Sequence, residues 1–199
     1  PHIRVALFKI MQARDQPFQR HRHINLHGQF IVIGSGLERD CLRLDLVKRL
    51  VNEEIPVVAH IGLTPQSVYK MGGYRVQGRT PEQAKMLIED AKMLEDAGAF
   101  AIVLELVPRE VAAIVTKELE ISTIGIGAGA ECDIQVLVLH DLVGMTFGRL
   151  PRFVRQYADV SNVMTEAIKK WSSDVKTGAY PDDSESYGLT EESLSELKS

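Results

Sequence analysis

Apolar and polar positions fall into regular blocks from about residue 46 onward. LVKRLVNEE places Leu46, Val47, Leu50 and Val51 three or four residues apart, the spacing of one helix face. IPVVAHIG follows as an apolar run with the length and composition of a buried strand. TPQSVYKMGGYRVQGRT is rich in turn residues and reads as a loop. PEQAKMLIEDAKMLEDAGA is a strong helix, with Pro81 suited to its first turn and Gly98 to its stop. AFAIVLELVP is the next buried strand, REVAAIVTKELE the next helix, and ISTIGIGAG a third strand ending in glycines. IQVLVLHDLVG reads as a fourth strand, and RFVRQYADVSNVMTEAIKKWSSDVKTG as a long terminal helix. Residues 180–199, rich in Ser, Glu and Asp, read as a flexible tail.

Strands alternating with helices over short connections predict parallel strands joined by crossover helices, an α/β class. Strands apolar along their whole length predict a sheet covered on both faces. Four such units are legible, whereas a barrel of eight typically needs about 250 residues. PHIRVALFKI and GQFIVIG can each be a strand, but the polar stretch between them, RDQPFQRHRHINLH, has little apolar periodicity. The expected organisation is a divergent segment over 1–45, βα units with a terminal helix over 46–179, and a tail over 180–199. No internal repeat or low-complexity block breaks this pattern.

Composition narrows the class. The 199 residues suffice for one domain with a core, and 45% apolar with 25% charged residues is ordinary for a soluble globular chain. No run of about 18 apolar residues suggests a membrane span, and no secretory signal is evident at the start. Residue 1 is proline, which implies processing or a longer parent chain. Cys41 and Cys132 stand far apart and read as reduced thiols, which points to the cytoplasm. The arginine-rich start leaves a mitochondrial address open. Residues 1–50 hold nine Lys and Arg against four Asp and Glu, and the remainder 14 against 23. That shift marks a change of character near position 50. The basic segment lacks an aromatic or repeating pattern, so no nucleic-acid partner is expected.

Three unusual features fall at the carboxyl ends of consecutive strands, where parallel α/β folds hold ligands: His60, Glu105, and the glycines Gly125, Gly127 and Gly129. Glu105 is a carboxylate in an otherwise apolar run, IVLELVP. Burying it alone costs several kcal/mol, so it requires a partner or a task. Separately, His60 reads as a hydrogen-bonded core residue, Glu105 as half of an ion pair, and the glycines as a tight turn for close backbone approach. Their coincidence at one end favours an active site. His21, His23 and His27 in HRHINLH have no carboxylate or cysteine nearby in sequence and read as a solvated cluster rather than a metal site.

VVAHIGLTPQSVYKMGGYRVQGRT, AIVLELVP and IGIGAGAECDIQVLVLHDLVGM together closely resemble the ketopantoate (3-methyl-2-oxobutanoate) hydroxymethyltransferase family, over Val47 to Tyr187. AYPDDSESY resembles that family's terminal motif. The resemblance implies a (β/α)8 TIM-type barrel, of which this chain carries the C-terminal half plus an irregular N-terminal segment. It implies transfer of a one-carbon unit from 5,10-methylenetetrahydrofolate to 3-methyl-2-oxobutanoate, giving 2-dehydropantoate for pantothenate synthesis. It further implies Mg2+ on the keto acid, Glu105 as the base that removes the adjacent proton, and His60 as a substrate-binding residue. The implied partners are small-molecule substrates and further copies of the chain in a homo-oligomer, with no membrane.

The chain also departs from the family pattern. No GDS motif occurs, VIGSGLERDCLRLD stands where a K-[LIV]-E-G-G strand is expected, and Ile134 replaces a glycine in the DIQ segment. No metal ligand is therefore assigned. Asp133 and Asp141 are the nearest further carboxylates, with Asp15, Glu38 and Asp40 upstream. The expectation is weak Mg2+ binding and no transferase activity from residues 1–199 alone. Two other readings compete: a non-catalytic half-barrel that associates with other chains, and a related barrel enzyme for other 2-oxo acids. The GGYRVQGR block argues against the latter.

Overall fold

The computed structural model describes residues 9–13, 31–34, 43–64 and 75–198. Six strands form one sheet: β1 (Lys9–Ala13), β2 (Ile31–Gly34), β3 (Val57–Gly62), β4 (Ala101–Glu105), β5 (Ser122–Ile126) and β6 (Ile134–Val138), in the order β1-β6-β5-β4-β3-β2. Strands β2 to β6 are parallel and lie side by side in chain order. Such a succession, with helical crossovers from β2 to β5, is an α/β fold consistent with part of a (β/α)8 barrel. Strand β1 pairs antiparallel to β6.

Helix α1 (Leu44–Asn52) joins β2 to β3, α2 (Pro81–Asp96) joins β3 to β4, and α3 (Arg109–Glu118) joins β4 to β5. The start of α2 follows from its sequence. Thr80 accepts the Gln83 amide at 3.3 Å, satisfying a donor that the first turn would orphan, and the Gln83 side chain accepts the Arg79 amide ahead of the cap at 3.2 Å. Pro81 sits at the first helical position, where a missing N–H costs nothing. Past the end of α2, Gly98 has φ +99°.

The period of two along each strand sorts side chains to opposite faces of the sheet. Val57, Ala59, Ile61, Ile102 and Leu104 pack with Val47, Leu87, Leu94, Val111 and Val115 on the helix side. Val58, Ala101, Val103, Ile124, Ile126, Ile134 and Val136 form a second apolar cluster on the other face, packed by Phe100 and Phe153. Leu94 is fully buried, and a side chain of its kind contributes about 1.5–3 kcal/mol on burial.

Two expected elements differ from the pattern reading. The fourth apolar run ends as a strand at Val138, and α4 (Leu139–Leu142) follows it. The Met145 amide donates to the His140 carbonyl at 2.8 Å, closing a turn that an extended chain could not make. The long terminal helix begins only with α5 (Val160–Thr177). The Asp159 side chain accepts the Asn162 amide at 3.2 Å and fixes that start, while the Tyr157 amide is engaged by the Leu142 carbonyl at 2.8 Å.

Residues 1–139 with 151–155 form one compact unit, and 140–150 with 156–199 a second. In the second unit, Trp171 of α5 meets Tyr180 edge to face, with ring centres 6.4 Å apart. A short 3-10 turn at Asp183–Glu185 and helix α6 (Glu191–Lys198) complete it. Among the described residues, no helix is long and apolar enough to cross a membrane.

Candidate active site

The alternation that buries Val57, Ala59 and Ile61 against the helices turns His60 to the opposite face, with Val58. The same rule puts Glu105 on that face, with Ala101 and Val103. In the parallel ladder His60 is level with Val103, and Gly62 with Glu105. His60 and Glu105 are thus diagonal neighbours on one face, within reach for long side chains. His60 Nε2 lies 3.1 Å from Glu105 Oε2, with side-chain exposures of 8% and 14%. Both belong to the last three residues of their strands, at the carboxyl end of the sheet. The carboxylate in the apolar run therefore has an imidazole against it.

The backbone around Glu105 is pinned as well. Its carbonyl accepts the Leu63 amide at 2.8 Å. Gly62 has φ +88°, and a β-carbon there would strike the Glu105 carbonyl oxygen. Only glycine supplies both that backbone angle and that clearance.

The glycines after β5 take their places one by one. Gly125 pairs with Leu104, and Cys132 folds over it, so an added β-carbon would meet Cys132 Sγ at 2.9 Å. Strands β5 and β6 are joined by residues 127–133 without a helix, and Gly125 makes room for that compact crossing. Gly127 and Gly129 lie in the connection with φ +65° and +83°, Gly127 directly after Ile126, which is level with Glu105. Gln135 Nε2 donates to the Gly129 carbonyl at 3.0 Å, tying the connection to β6.

Asp133 is not brought to Glu105. Its Oδ2 accepts the Thr123 amide at 2.9 Å and the Thr123 hydroxyl at 3.1 Å, while its own amide donates to Thr123 Oγ1 at 3.1 Å. Thr123 is level with Ile102, three residues before Glu105's level, roughly 10 Å away along the strands. Asp141 lies in α4 and accepts the Thr146 hydroxyl at 2.6 Å. Asp15, His21, His23, His27, Glu38, Asp40 and Cys41 lie outside the described residues.

Comparison with known proteins fits this arrangement. A model of the family described as ketopantoate hydroxymethyltransferase matches residues 31–183. The chain belongs to the ketopantoate hydroxymethyltransferase family. It is 54% identical over 156 residues to a 3-methyl-2-oxobutanoate hydroxymethyltransferase of Koribacter versatilis, covering 78% of this chain and 53% of that protein. A Clostridium botulinum protein of the same name is 53% identical over 151 residues, covering 76% and 55%. One from Dehalococcoides mccartyi is 49% identical over 200 residues, covering 96% and 71%. The chain spans just over half the length of the first two relatives.

For a member of this family, Mg2+ is the ion the resemblance implies. Among the described residues no group of three or more His, Cys, Asp or Glu comes together. Glu105 and His60 present one carboxylate and one imidazole, whereas Mg2+ takes near-octahedral oxygen coordination. The described residues do not by themselves compose such a site.

Sequence reasoning missed Gly62 and Leu106 as parts of the site. Gly62 was legible only as a strand-end residue, because its clash partner is a carbonyl 43 positions later. Leu106 gave no signal in its composition, since φ +50° at a leucine opposes local preference.

Proposed function

We propose that this chain supplies the proton-abstracting part of a 3-methyl-2-oxobutanoate hydroxymethyltransferase. The reaction joins the one-carbon unit of 5,10-methylenetetrahydrofolate, with water, to 3-methyl-2-oxobutanoate, giving 2-dehydropantoate and tetrahydrofolate. The observation that carries this reading is the 3.1 Å pairing of His60 with Glu105 at the carboxyl ends of adjacent parallel strands.

Chemically, C3 of the keto acid must lose its proton before it can attack the one-carbon unit. Glu105 is the group assigned to take it. Its Oε2 is held against the imidazole, which fixes the carboxylate's orientation, and Oε1 is the oxygen assigned to the proton. The apolar residues on the same face, Val58, Val103 and Ile126, suit the branched hydrocarbon end of the substrate and limit water around the base. His60, beside the carboxylate, is also assigned a hydrogen bond to substrate or product. Mg2+, the ion implied by the family resemblance, would stabilise the enolate when bound.

The same reading has the protein acting on small molecules in the cytoplasm as a homo-oligomer. The buried thiol of Cys132 suits a reducing compartment. Val163, Met164, Ile168, Trp171 and Val175 share one side of α5 and are exposed, which suits assembly. The testing experiment grafts residues 44–183 of this chain in place of the matching segment of the Dehalococcoides mccartyi relative. The chimera is expected to form 2-dehydropantoate, and Glu105→Gln within it to abolish that formation; full activity of the variant would refute the assignment.

A further inference from the structure

We propose that Leu106 is a positioning residue, which sets the direction of the Glu105 carboxylate through its left-handed backbone. Leu106 has φ +50°, a region that bulky side chains rarely enter. Strain of this kind persists only where the surroundings over-determine it. Here they do. The Leu106 amide donates to the Ile126 carbonyl at 3.0 Å, and its carbonyl accepts the Gln77 amide at 2.8 Å. Gln77 is itself buried, with its side-chain Nε2 donating to the Arg75 carbonyl at 2.8 Å. Residues 105 and 106 are thus tied to β3, to β5 and to the segment around Gln77.

The consequence appears in the side-chain faces. Unbroken alternation would send Glu105 and Val107 to the same side of the sheet. Instead Val107, 3% exposed, joins Ile102 and Leu104 in the cluster on the helix side. Glu105 stays on the other face against His60. The left-handed residue between them shifts the phase of the strand. It lets an apolar side chain enter the core while the preceding carboxylate is held at the sheet's carboxyl end. The position therefore demands a backbone angle rather than an apolar side chain.

That distinction is testable, because isoleucine resembles leucine chemically but resists positive φ, whereas asparagine and glycine tolerate it. The probe is the change in the His60 Nε2 signal of the 15N-histidine-labelled 199-residue chain when Glu105→Gln is introduced. The response is expected in full in the parent, Leu106→Asn and Leu106→Gly backgrounds, and to be lost in Leu106→Ile. A full response in folded Leu106→Ile would overturn the assignment, as would its loss in Leu106→Asn or Leu106→Gly. If Leu106→Ile does not fold, the Asn and Gly variants decide alone. The functional meaning rests on Glu105 being the base. The spectroscopic response does not, so a Glu105 that proves catalytically idle and a Leu106 that fails to position it give different results.

Discussion

Gly62 and Glu105 are partners across the β3–β4 ladder, and the space that a side chain on Gly62 would need is filled by the Glu105 carbonyl oxygen. Gly62→Ala must adopt a left-handed angle at about 1–3 kcal/mol and also push that carbonyl aside. The expected outcome is a stability loss of at least that size, read from the denaturant midpoint, together with a weakened His60–Glu105 contact. Unchanged stability would contradict the close approach.

Asp133 braces Thr123 through its carboxylate. Asp133→Ala leaves the fully buried Thr123 without an acceptor for its amide, a loss of about 1–3 kcal/mol. In the chimera its Mg2+ affinity should equal that of the parent. A calorimetric titration showing a large drop in Mg2+ affinity would restore Asp133 as a ligand.

Much of this arrangement was legible in the sequence. Helix α2 announced itself because Thr80, Pro81 and Gly98 satisfy or end the helix through local chemistry alone. Strands β3 and β4 were legible because parallel strands covered on both faces must be apolar throughout. The same logic made Glu105 conspicuous. What failed was set by contacts that hydrophobic periodicity does not register. Leu139 to Gly144 continues an apolar run, yet the turn closed by Met145 and His140 ends the strand. The residues around Tyr157 have helical periodicity, yet their amides are engaged elsewhere and the Asp159 cap starts the helix later. The contact between His60 and Glu105 depends on ladder register, which no local pattern encodes.

The crossing from β5 to β6 gives a third expectation. Gly125→Ala brings a β-carbon to 2.9 Å from Cys132 Sγ and 3.1 Å from its Cβ, so overpacking should cost about 1–3 kcal/mol. Adding Cys132→Ala removes the sulfur and should restore part of that loss. A double variant no more stable than Gly125→Ala would show that the sulfur is not the obstruction.

His60→Ala removes both the support of the carboxylate and a hydrogen-bonding group. Losing the 3.1 Å contact with Glu105 and the hydrogen bond assigned to the substrate should lower kcat/KM of the chimera for 3-methyl-2-oxobutanoate roughly tenfold or more. The Mg2+ concentration giving half activity should stay the same. Steady-state kinetics at varied Mg2+ read both quantities, and a large change in the Mg2+ requirement would make His60 a metal ligand instead.

The assignment of Glu105 as the base is tested most directly by exchange of the C3 proton of 3-methyl-2-oxobutanoate in deuterated water, followed by proton NMR without folate. This step isolates proton removal from one-carbon transfer. The chimera with Glu105 intact should exchange the proton, and Glu105→Gln, which keeps the side chain's shape, should slow exchange by about 100-fold or more. Exchange at the same rate in the two proteins would contradict the account, since another group would then be taking the proton.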